Sequence, residues 1–179
     1  EDNHKDAVRA TVDVLASRPE IDAAKIGYKG ASFASYFGTV AAAHLGDRLK
    51  AVAVYAVCQE PGAHTIFNLA SPTFKMRFMY MAGFEDEAEF DKFMPKLDLR
   101  PIAGKITAPY LCIAGGDDEL SPIEHTYDLM GRIKSPKKLV VYEGARHAIG
   151  PVPSVALSEN PQTLMADWPK NGEDVQGAE

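Results

Sequence analysis

A serine set between small residues on a turn from strand to helix restricts the fold of this sequence more than any other feature. Residues 30–34 read Gly-Ala-Ser-Phe-Ala and follow a short strand-like run at 25–29. Residues 33–45 continue as a helical run of small and apolar residues. Side chains two residues before or after Ser32 would collide across so sharp a turn. The pattern therefore predicts that Ser32 projects its hydroxyl from the carboxyl end of a strand.

This arrangement is typical of a nucleophile elbow, which exposes a serine hydroxyl for covalent chemistry. The backbone N–H of Phe33 would lie at a helix N-terminus, where it can bind an oxyanion. The five-residue pattern alone arises by chance with a probability of about 0.1 in a chain of ordinary composition. A functional interpretation of Ser32 therefore needs partners elsewhere in the sequence.

Strand-like and helical runs alternate along the chain. This alternation, with continuously apolar strands, is typical of a parallel sheet covered by helices on both faces. The predicted fold class is therefore α/β, a parallel sheet with flanking helices. Ser121 is expected to cap the last main helix, with Pro122 in its first turn and Glu124 completing a capping box. The predicted strands are 25–29, 50–58, 109–114 and 138–143, and the predicted helices are 4–18, 33–45 and 122–133.

The segment between the second and third strands is too long for a simple crossover. It is rich in Phe and Met, and we interpret it as a helical cap laid over the carboxyl ends of the strands, although such residues suit a core extension equally well. Tyr36, Phe78 and Met79 are the predicted substrate-binding residues. The predicted organisation is a core with the elbow at 1–58, a helical cap at 59–108, a core with the acid and histidine turns at 109–170, and a tail at 171–179 that follows a helix stop at Trp168-Pro169.

Polar side chains also follow the third and fourth predicted strands. Ligands bind at the carboxyl ends of the strands in open parallel sheets. Residues 115–118 read Gly-Gly-Asp-Asp and follow the third strand, and residues 144–147 read Gly-Ala-Arg-His and follow the fourth. A serine, an acid and a histidine thus each fall just past a strand end, which places all three at one edge of the sheet.

The serine, the histidine and the carboxylate have complementary roles in nucleophilic catalysis. A serine is a poor nucleophile without a base, and His147 is placed to accept the proton of Ser32. A carboxylate behind His147 would fix its tautomer and stabilise the imidazolium. Asp118 is the preferred carboxylate, with Asp117 as its competitor and Glu119 as a third choice.

The remaining histidines lie in less suitable positions. His44 and His125 fall within predicted helices, and His4 lies near the first residue. His64 lies in the predicted cap, where contact with substrate is an alternative to a purely structural role.

Composition excludes several classes of function. The net charge of −6 and the pI near 5.4 argue against a nucleic-acid-binding surface. No run of 18 apolar residues and no signal-peptide pattern is present, so we expect no membrane span. Cys58 and Cys112 lie in apolar runs and are predicted to be buried thiols, as in a reducing, cytoplasmic compartment. No Cys/His spacing resembles a zinc site, and the predicted chemistry needs neither a metal nor an organic cofactor.

At these residues the chain resembles the serine-dependent α/β-hydrolase superfamily over nearly its whole length. The matching pieces are 26–34, 115–118 with Pro122, and 144–147. Within the superfamily it is most similar to the capped hydrolases related to 2,6-dihydroxypseudooxynicotine hydrolase, which share the closing Met-Ala-Asp-Trp found here at 165–168. The resemblance implies a hydrolase that acts on a small-molecule carbonyl substrate. That subgroup cleaves carbon–carbon bonds in β-diketone-like substrates, and its relatives include esterases.

The sequence departs from this family at two points. The family has two glycines where Ala34 and Ser35 stand, and we expect these residues to crowd the elbow. A complete member also has earlier strands and a His-Gly-Gly-like loop that supplies a second oxyanion N–H. We therefore expect the carboxyl-terminal half of a larger enzyme, with the amino-terminal half as another segment or chain and the strand at 25–29 as an exposed edge.

Three functions remain open from the sequence. The first is a serine hydrolase that cleaves a carboxylic ester or similar substrate through an acyl-enzyme on Ser32. The second is a carbon–carbon bond hydrolase, and the third is a non-catalytic protein of this fold that binds a small molecule or a partner. A homo-oligomer is compatible with each of them. A Rossmann-type nucleotide binder is excluded because no Gly-x-Gly-x-x-Gly follows any predicted strand.

Overall fold

A computed structural model gives the structure of residues 2–60 and 66–171. His64 and the tail beyond residue 171 lie outside the described residues. None of the described helices is long and apolar enough to cross a membrane. The elements are α1 (Asp2–Ala16), β1 (Tyr28–Ser32), α2 (Phe33–Leu45), β2 (Val52–Val57), α3 (Ile66–Leu69), α4 (Pro72–Ala82), α5 (Glu87–Phe93), α6 (Arg100–Ala103), β3 (Tyr110–Gly115), α7 (Ile123–Arg132), β4 (Lys137–Tyr142), α8 (Pro153–Leu157) and α9 (Pro161–Asn171), with short 3-10 helices at Ala23–Lys25, Gly46–Arg48 and Met94–Leu97.

The four described strands form one parallel sheet in the order β1-β2-β3-β4, which confirms the predicted fold class. Alternate residues of the central strands face opposite layers. Val54 and Cys112 pack in a core with α2 and α7, whereas Ala53 and Leu111 pack in a second core with α9. Because both faces are covered, every residue of β3 is buried, as expected for a central parallel strand.

The first strand begins three residues later than the sequence pattern predicts. Residues Ala23–Lys25 form a 3-10 turn, whose N-terminus is capped by the Asp22 side chain accepting from the Ala24 N–H at 3.0 Å. The strand then starts at Tyr28, whose N–H donates to Ala51 O at 3.0 Å. The strand prediction over 25–29 was therefore wrong at its start, because a side-chain cap ahead of the apolar run continues the turn.

The predicted capping role of Ser121 was also wrong. Helix α7 begins at Ile123, and Pro122 precedes it without any side-chain cap. Ser121 instead points inward, with 2% of its surface exposed, and its hydroxyl accepts from the Gln59 N–H at 3.1 Å. A buried backbone N–H needs an acceptor within the protein, whereas the N–H groups at a solvated helix end can donate to water.

The final helix runs through the predicted stop at Trp168-Pro169. Helix α9 continues to Asn171. Leu164, Met165 and Trp168 are buried against the sheet, and the Trp168 indole N–H donates to Pro109 O at 3.3 Å. These tertiary contacts hold the helix across a residue that breaks isolated helices.

The described residues between β2 and β3 are mostly helical. Helices α4 and α5 are joined at the surface by Lys75, which pairs with Glu87 at 2.7 Å and with Asp91 at 2.5 Å. Beneath them lies an aromatic cluster with ring centroids 4.2–6.4 Å apart around Phe33. This cluster joins the helices of the inserted segment to the first turn of α2.

Gly115, at the end of β3, allows two loops to approach closely and gives a test of the fold. A Cβ atom there would collide with the carbonyl oxygens of Ala145 and Arg146. We expect Gly115→Ala to lower the free energy of unfolding by about 3 kcal/mol, because backbone atoms cannot yield as a side chain can. Gly131→Ala is the matched control, since nothing lies within 4 Å of its added Cβ.

The control change lies in helix α7 and should raise stability by up to about 1 kcal/mol through helix propensity. Urea denaturation followed by circular dichroism measures both values. Equal effects of the two substitutions would contradict the close approach at Gly115.

Candidate active site

Ser32 has the strained backbone of a nucleophile elbow. Its φ of 53° and ψ of −129° are rare for a residue with a side chain, and it lies between β1 and α2. A Cβ atom on Gly30 would lie 2.5 Å from Ala34 O, so glycine is required two residues before the serine. The small residues around Ser32 are therefore a steric requirement of this turn.

The structure brings together the serine, the histidine and the preferred acid. Ser32 Oγ lies 2.9 Å from His147 Nε2, and His147 Nδ1 lies 2.8 Å from Asp118 Oδ2. The Asp118 side chain is 1% exposed and that of His147 is 18% exposed. Asp117 is exposed, and its backbone N–H donates to Ala145 O at 2.9 Å. Of the two adjacent aspartates, Asp118 is the one whose carboxylate meets the imidazole.

The buried Asp118 carboxylate has hydrogen bonds at both oxygens. Oδ1 accepts from the N–H groups of Leu120 and Ser121 at 2.9 and 3.1 Å, and Oδ2 faces His147. A buried carboxylate is costly unless such donors surround it. The bonds to Leu120 and Ser121 also hold the turn that follows Asp118. The Asp118 side chain therefore contacts His147 and stabilises its own loop.

The loop that carries His147 is held from two neighbouring strands. It approaches the end of β3, where Asp117 donates its N–H to Ala145 O. The Tyr55 hydroxyl, from β2, donates to Ala148 O at 3.0 Å. His147 therefore occupies a fixed position relative to the sheet and does not depend on its contact with Asp118 alone.

Phe33 supplies a backbone N–H next to the serine. It is the first residue of α2, and N–H groups in the first turn of a helix have no partner within the helix. The helix dipole adds partial positive charge at this end. The N–H of Phe33 is therefore suited to an oxygen that gains negative charge beside Ser32.

Cys58 is a residue near the site that the sequence reasoning treated only as a buried thiol. A bulge at Ala56, with φ of 47°, shifts the register so that Ser32 pairs with Val57. The Cys58 side chain then lies within hydrogen-bonding range of Ser32, and burial raises the pKa of its thiol to about 12. Cys58 thus stays protonated at neutral pH beside the Ser32 side chain. Because the sequence predicts a strand over 50–58, it places Cys58 within a strand and not among the residues that follow one.

Ser35 forms a side-chain hydrogen bond that a glycine at this position could not form. The residue is fully buried, and its hydroxyl accepts from the Cys58 N–H at 2.7 Å. On the next turn of α2, the Thr39 hydroxyl lies 2.6 Å from the Tyr110 hydroxyl of β3. Instead of only crowding the elbow, Ser35 attaches the nucleophile helix to the end of β2.

A cavity of about 440 Å³ lies beside the first turns of α2. Two of the predicted substrate-binding residues, Tyr36 and Phe78, line it together with Phe33. The third, Met79, does not: it follows Phe78 on α4, about 100° further round the helix, and lines a separate cavity of about 310 Å³ with Phe67 and other residues. The structure thus separates Met79 from the other two.

No group of three His, Cys, Asp or Glu residues suited to a metal ion occurs within the residues that the structure describes. The site is assembled from the ends of β1, β3 and β4, and its polar atoms form one chain from Ser32 through His147 to Asp118. Such a chain can transfer a proton from a hydroxyl to an imidazole without another group.

Solved structures with the same architecture are α/β-hydrolases. The 2,6-dihydroxy-pseudo-oxynicotine hydrolase matches with a TM-score of 0.75 and 22% identity over 94% of this chain and 46% of its own. The acetyl xylan esterase from Paenibacillus sp. R4 matches with a TM-score of 0.68 and 20% identity, covering 93% of this chain and 51% of its own. Acetyl xylan esterase 1 from Thermoanaerobacterium sp. JW/SL YS485 matches with a TM-score of 0.61 and 18% identity, covering 93% of this chain and 50% of its own. The fold is that of the α/β-hydrolases, as the sequence resemblance implied.

The sequence profile of the family described as acetyl xylan esterase (AXE1) matches residues 2–158. The chain belongs to this family. No curated protein sequence matches it. The chain spans about half the length of the first solved structure that it resembles, 46%.

The bond between Ser35 and Cys58 leads to a stability prediction. Ser35→Ala leaves the buried Cys58 N–H without its acceptor, and we expect the free energy of unfolding to fall by about 1–3 kcal/mol. Ser17→Ala is the control, because the Ser17 hydroxyl donates to Val14 O at an exposed helix end. It should change stability by less than about 0.5 kcal/mol. Thermal and urea denaturation measure both, and a neutral Ser35→Ala would show that the bond contributes nothing.

Proposed function

We propose that this protein is a serine hydrolase that cleaves carboxylic esters through an acyl-enzyme on Ser32. The observation that carries the proposal is the continuous hydrogen-bonded chain of Ser32, His147 and Asp118. Membership of the acetyl xylan esterase family supports ester hydrolysis as the reaction. The chemical roles of the three residues follow from their order in the chain of contacts.

The first half of the reaction forms the acyl-enzyme. The Ser32 hydroxyl gives its proton to His147 Nε2 while Oγ attacks the ester carbonyl carbon. The Nδ1–H of His147 donates to Asp118 Oδ2, which holds the required tautomer and stabilises the imidazolium. The carbonyl oxygen becomes negative, and the N–H of Phe33 donates to it. The carbon–oxygen bond to the alcohol then breaks, and His147 passes the proton to the departing oxygen.

The second half releases the acid. A water molecule gives a proton to His147 Nε2 and attacks the acyl carbon, and the bond to Ser32 Oγ breaks as His147 returns a proton to it. The His147 side chain is 18% exposed and is accessible to water, whereas that of Asp118 at 1% is shielded. The products are a carboxylic acid and an alcohol.

The assignment of Ser32 has a direct covalent test. A fluorophosphonate probe should label the protein at one site, because the activated hydroxyl attacks phosphorus as it attacks a carbonyl carbon. Ser32→Ala should abolish the labelling, and mass spectrometry of a digest should locate it on the peptide that contains residue 32. Ser17→Ala, which removes an exposed hydroxyl at a helix end, is the control and should leave the labelling unchanged.

Labelling that persists in Ser32→Ala would overturn the proposal. Turnover of p-nitrophenyl esters tests the reaction itself. Hydrolysis of β-diketones in place of esters would keep Ser32 as the nucleophile but contradict ester cleavage.

The two adjacent aspartates offer a matched pair of variants for the acid. Asp118→Asn removes the carboxylate behind His147, and we expect kcat for p-nitrophenyl acetate to fall by about 10³- to 10⁴-fold. Asp117→Asn alters an exposed side chain outside the chain of contacts and should leave kcat within about twofold. Circular dichroism and urea denaturation establish whether both variants are folded. A larger loss in Asp117→Asn would reverse the assignment.

A further inference from the structure

We propose that the cavity beside α2 is the acyl pocket of this enzyme, and that it accepts an aromatic or similarly bulky apolar acyl group. This inference rests on the proposed ester hydrolysis at Ser32 and names the substrate class of the same site. Phe33, the residue that follows Ser32, is one of the residues that line the cavity. In this proposal, the group bonded to the carbonyl carbon at Ser32 lies in this cavity, on the far side of Phe33.

The chemistry of the wall selects against polar groups. Among the described residues that line the cavity, none is Asp, Glu, Lys or Arg, and only Tyr36 and His4 carry a polar side-chain atom. Hydroxyl-rich groups need several hydrogen-bond partners when they leave water, and this wall offers few. Six of the lining residues are phenylalanine or tyrosine, namely Phe33, Tyr36, Phe37, Phe78, Phe90 and Phe93.

The aromatic side chains also favour a flat ring as the occupant. The rings of Phe33 on α2 and Phe78 on α4 are tilted by 53° against each other with centroids 4.2 Å apart, and His4 stacks on Phe37 at 3.6 Å. Rings in such surroundings pair with another ring in offset or edge-to-face contact. A planar aromatic acyl group can therefore continue the packing that the wall already contains.

The size of the cavity exceeds what an acetyl group can fill. Its volume is about 440 Å³, whereas an apolar cavity of about 150 Å³ is large enough to bind benzene. An acetyl group would leave most of the apolar wall without contacts, and a ring with a short linker would cover it. Burial of apolar area therefore favours the larger acyl group.

The position of His147 decides which half of the ester enters the cavity. His147 must protonate the departing alcohol, so the alcohol leaves on the His147 side of Ser32. The described residues that line the cavity come from α1, α2, α4, α5 and the 3-10 helix after α5, and none from the loops after β3 and β4. The cavity thus lies away from the leaving group, and the half of the substrate that stays on Ser32 faces it.

The test compares p-nitrophenyl esters that share one leaving group and differ only in the acyl group. For the full-length protein, kcat/KM for p-nitrophenyl phenylacetate should exceed that for the acetate by about tenfold or more, from burial of the ring. Phe78→Ala should lower this ratio by about tenfold, mainly through KM for the phenylacetate. Tyr80→Ala is the matched control, since Tyr80 lies on the same helix with 86% exposure and should leave the ratio unchanged.

A second variant tests the pocket by filling it. Ala82 lines the cavity near the end of α4, and Ala82→Trp should lower the phenylacetate-to-acetate ratio by occupying the space that the ring needs. Fluorophosphonate labelling of Ser32 in every variant shows whether the catalytic residues are intact. Urea denaturation shows whether each variant is folded.

The outcomes separate this inference from the proposed function. Labelling of Ser32 with a preference for acetate, or a ratio that neither Phe78→Ala nor Ala82→Trp changes, would overturn the acyl pocket and leave the hydrolase proposal standing. Absence of both labelling and ester turnover would overturn both. A preference for the phenylacetate that both variants reduce and Tyr80→Ala does not would support the pocket.

Discussion

The contact between His147 and Asp118 is the interaction on which the rest of the site depends, because it joins two loops that follow different strands. Asp118 is fixed by its hydrogen bonds to the N–H groups of Leu120 and Ser121 before it meets the imidazole. The loops also share a backbone bond from Asp117 to Ala145, which a side chain at Gly115 would disrupt. The imidazole therefore meets Ser32 in a position set by backbone contacts, which is the preorganisation that proton transfer requires.

The strained conformation of Ser32 is stabilised by hydrogen bonds that join α2 to the neighbouring strands. Non-glycine residues in such conformations persist only where the surrounding structure over-determines them. Here α2 is bound to β2 through Ser35 and Cys58, and to β3 through Thr39 and Tyr110. Burial keeps the Cys58 thiol beside Ser32 protonated. The polar residues under the elbow thus maintain its geometry.

The sequence groups the candidate site residues because the rule that places them is topological. Parallel strands bring their carboxyl ends to one edge, so Ser32, Asp118 and His147 could be grouped without knowing any side-chain contact. Predictions that depended on local patterns were less successful. The exposed Asp22 side chain caps a turn ahead of β1, and Ser121 accepts from the buried Gln59 N–H instead of capping α7, and neither partner can be identified from the local sequence pattern. The contact of Cys58 with Ser32 depends on the bulge at Ala56, which no composition or period reveals.

The proposed catalytic residues and the proposed acyl pocket lie on separate parts of this chain. The loops after β1, β3 and β4 carry Ser32, Asp118 and His147, whereas helices α2, α4 and α5 supply most of the apolar wall. A substitution on α4 can therefore reshape the wall without moving His147 or Asp118. Membership of the acetyl xylan esterase family therefore supports ester hydrolysis as the proposed reaction. It says less about which acyl group the proposed pocket accepts. The proposal of a bulky acyl group therefore rests on the aromatic side chains beside Phe33 and not on the family description.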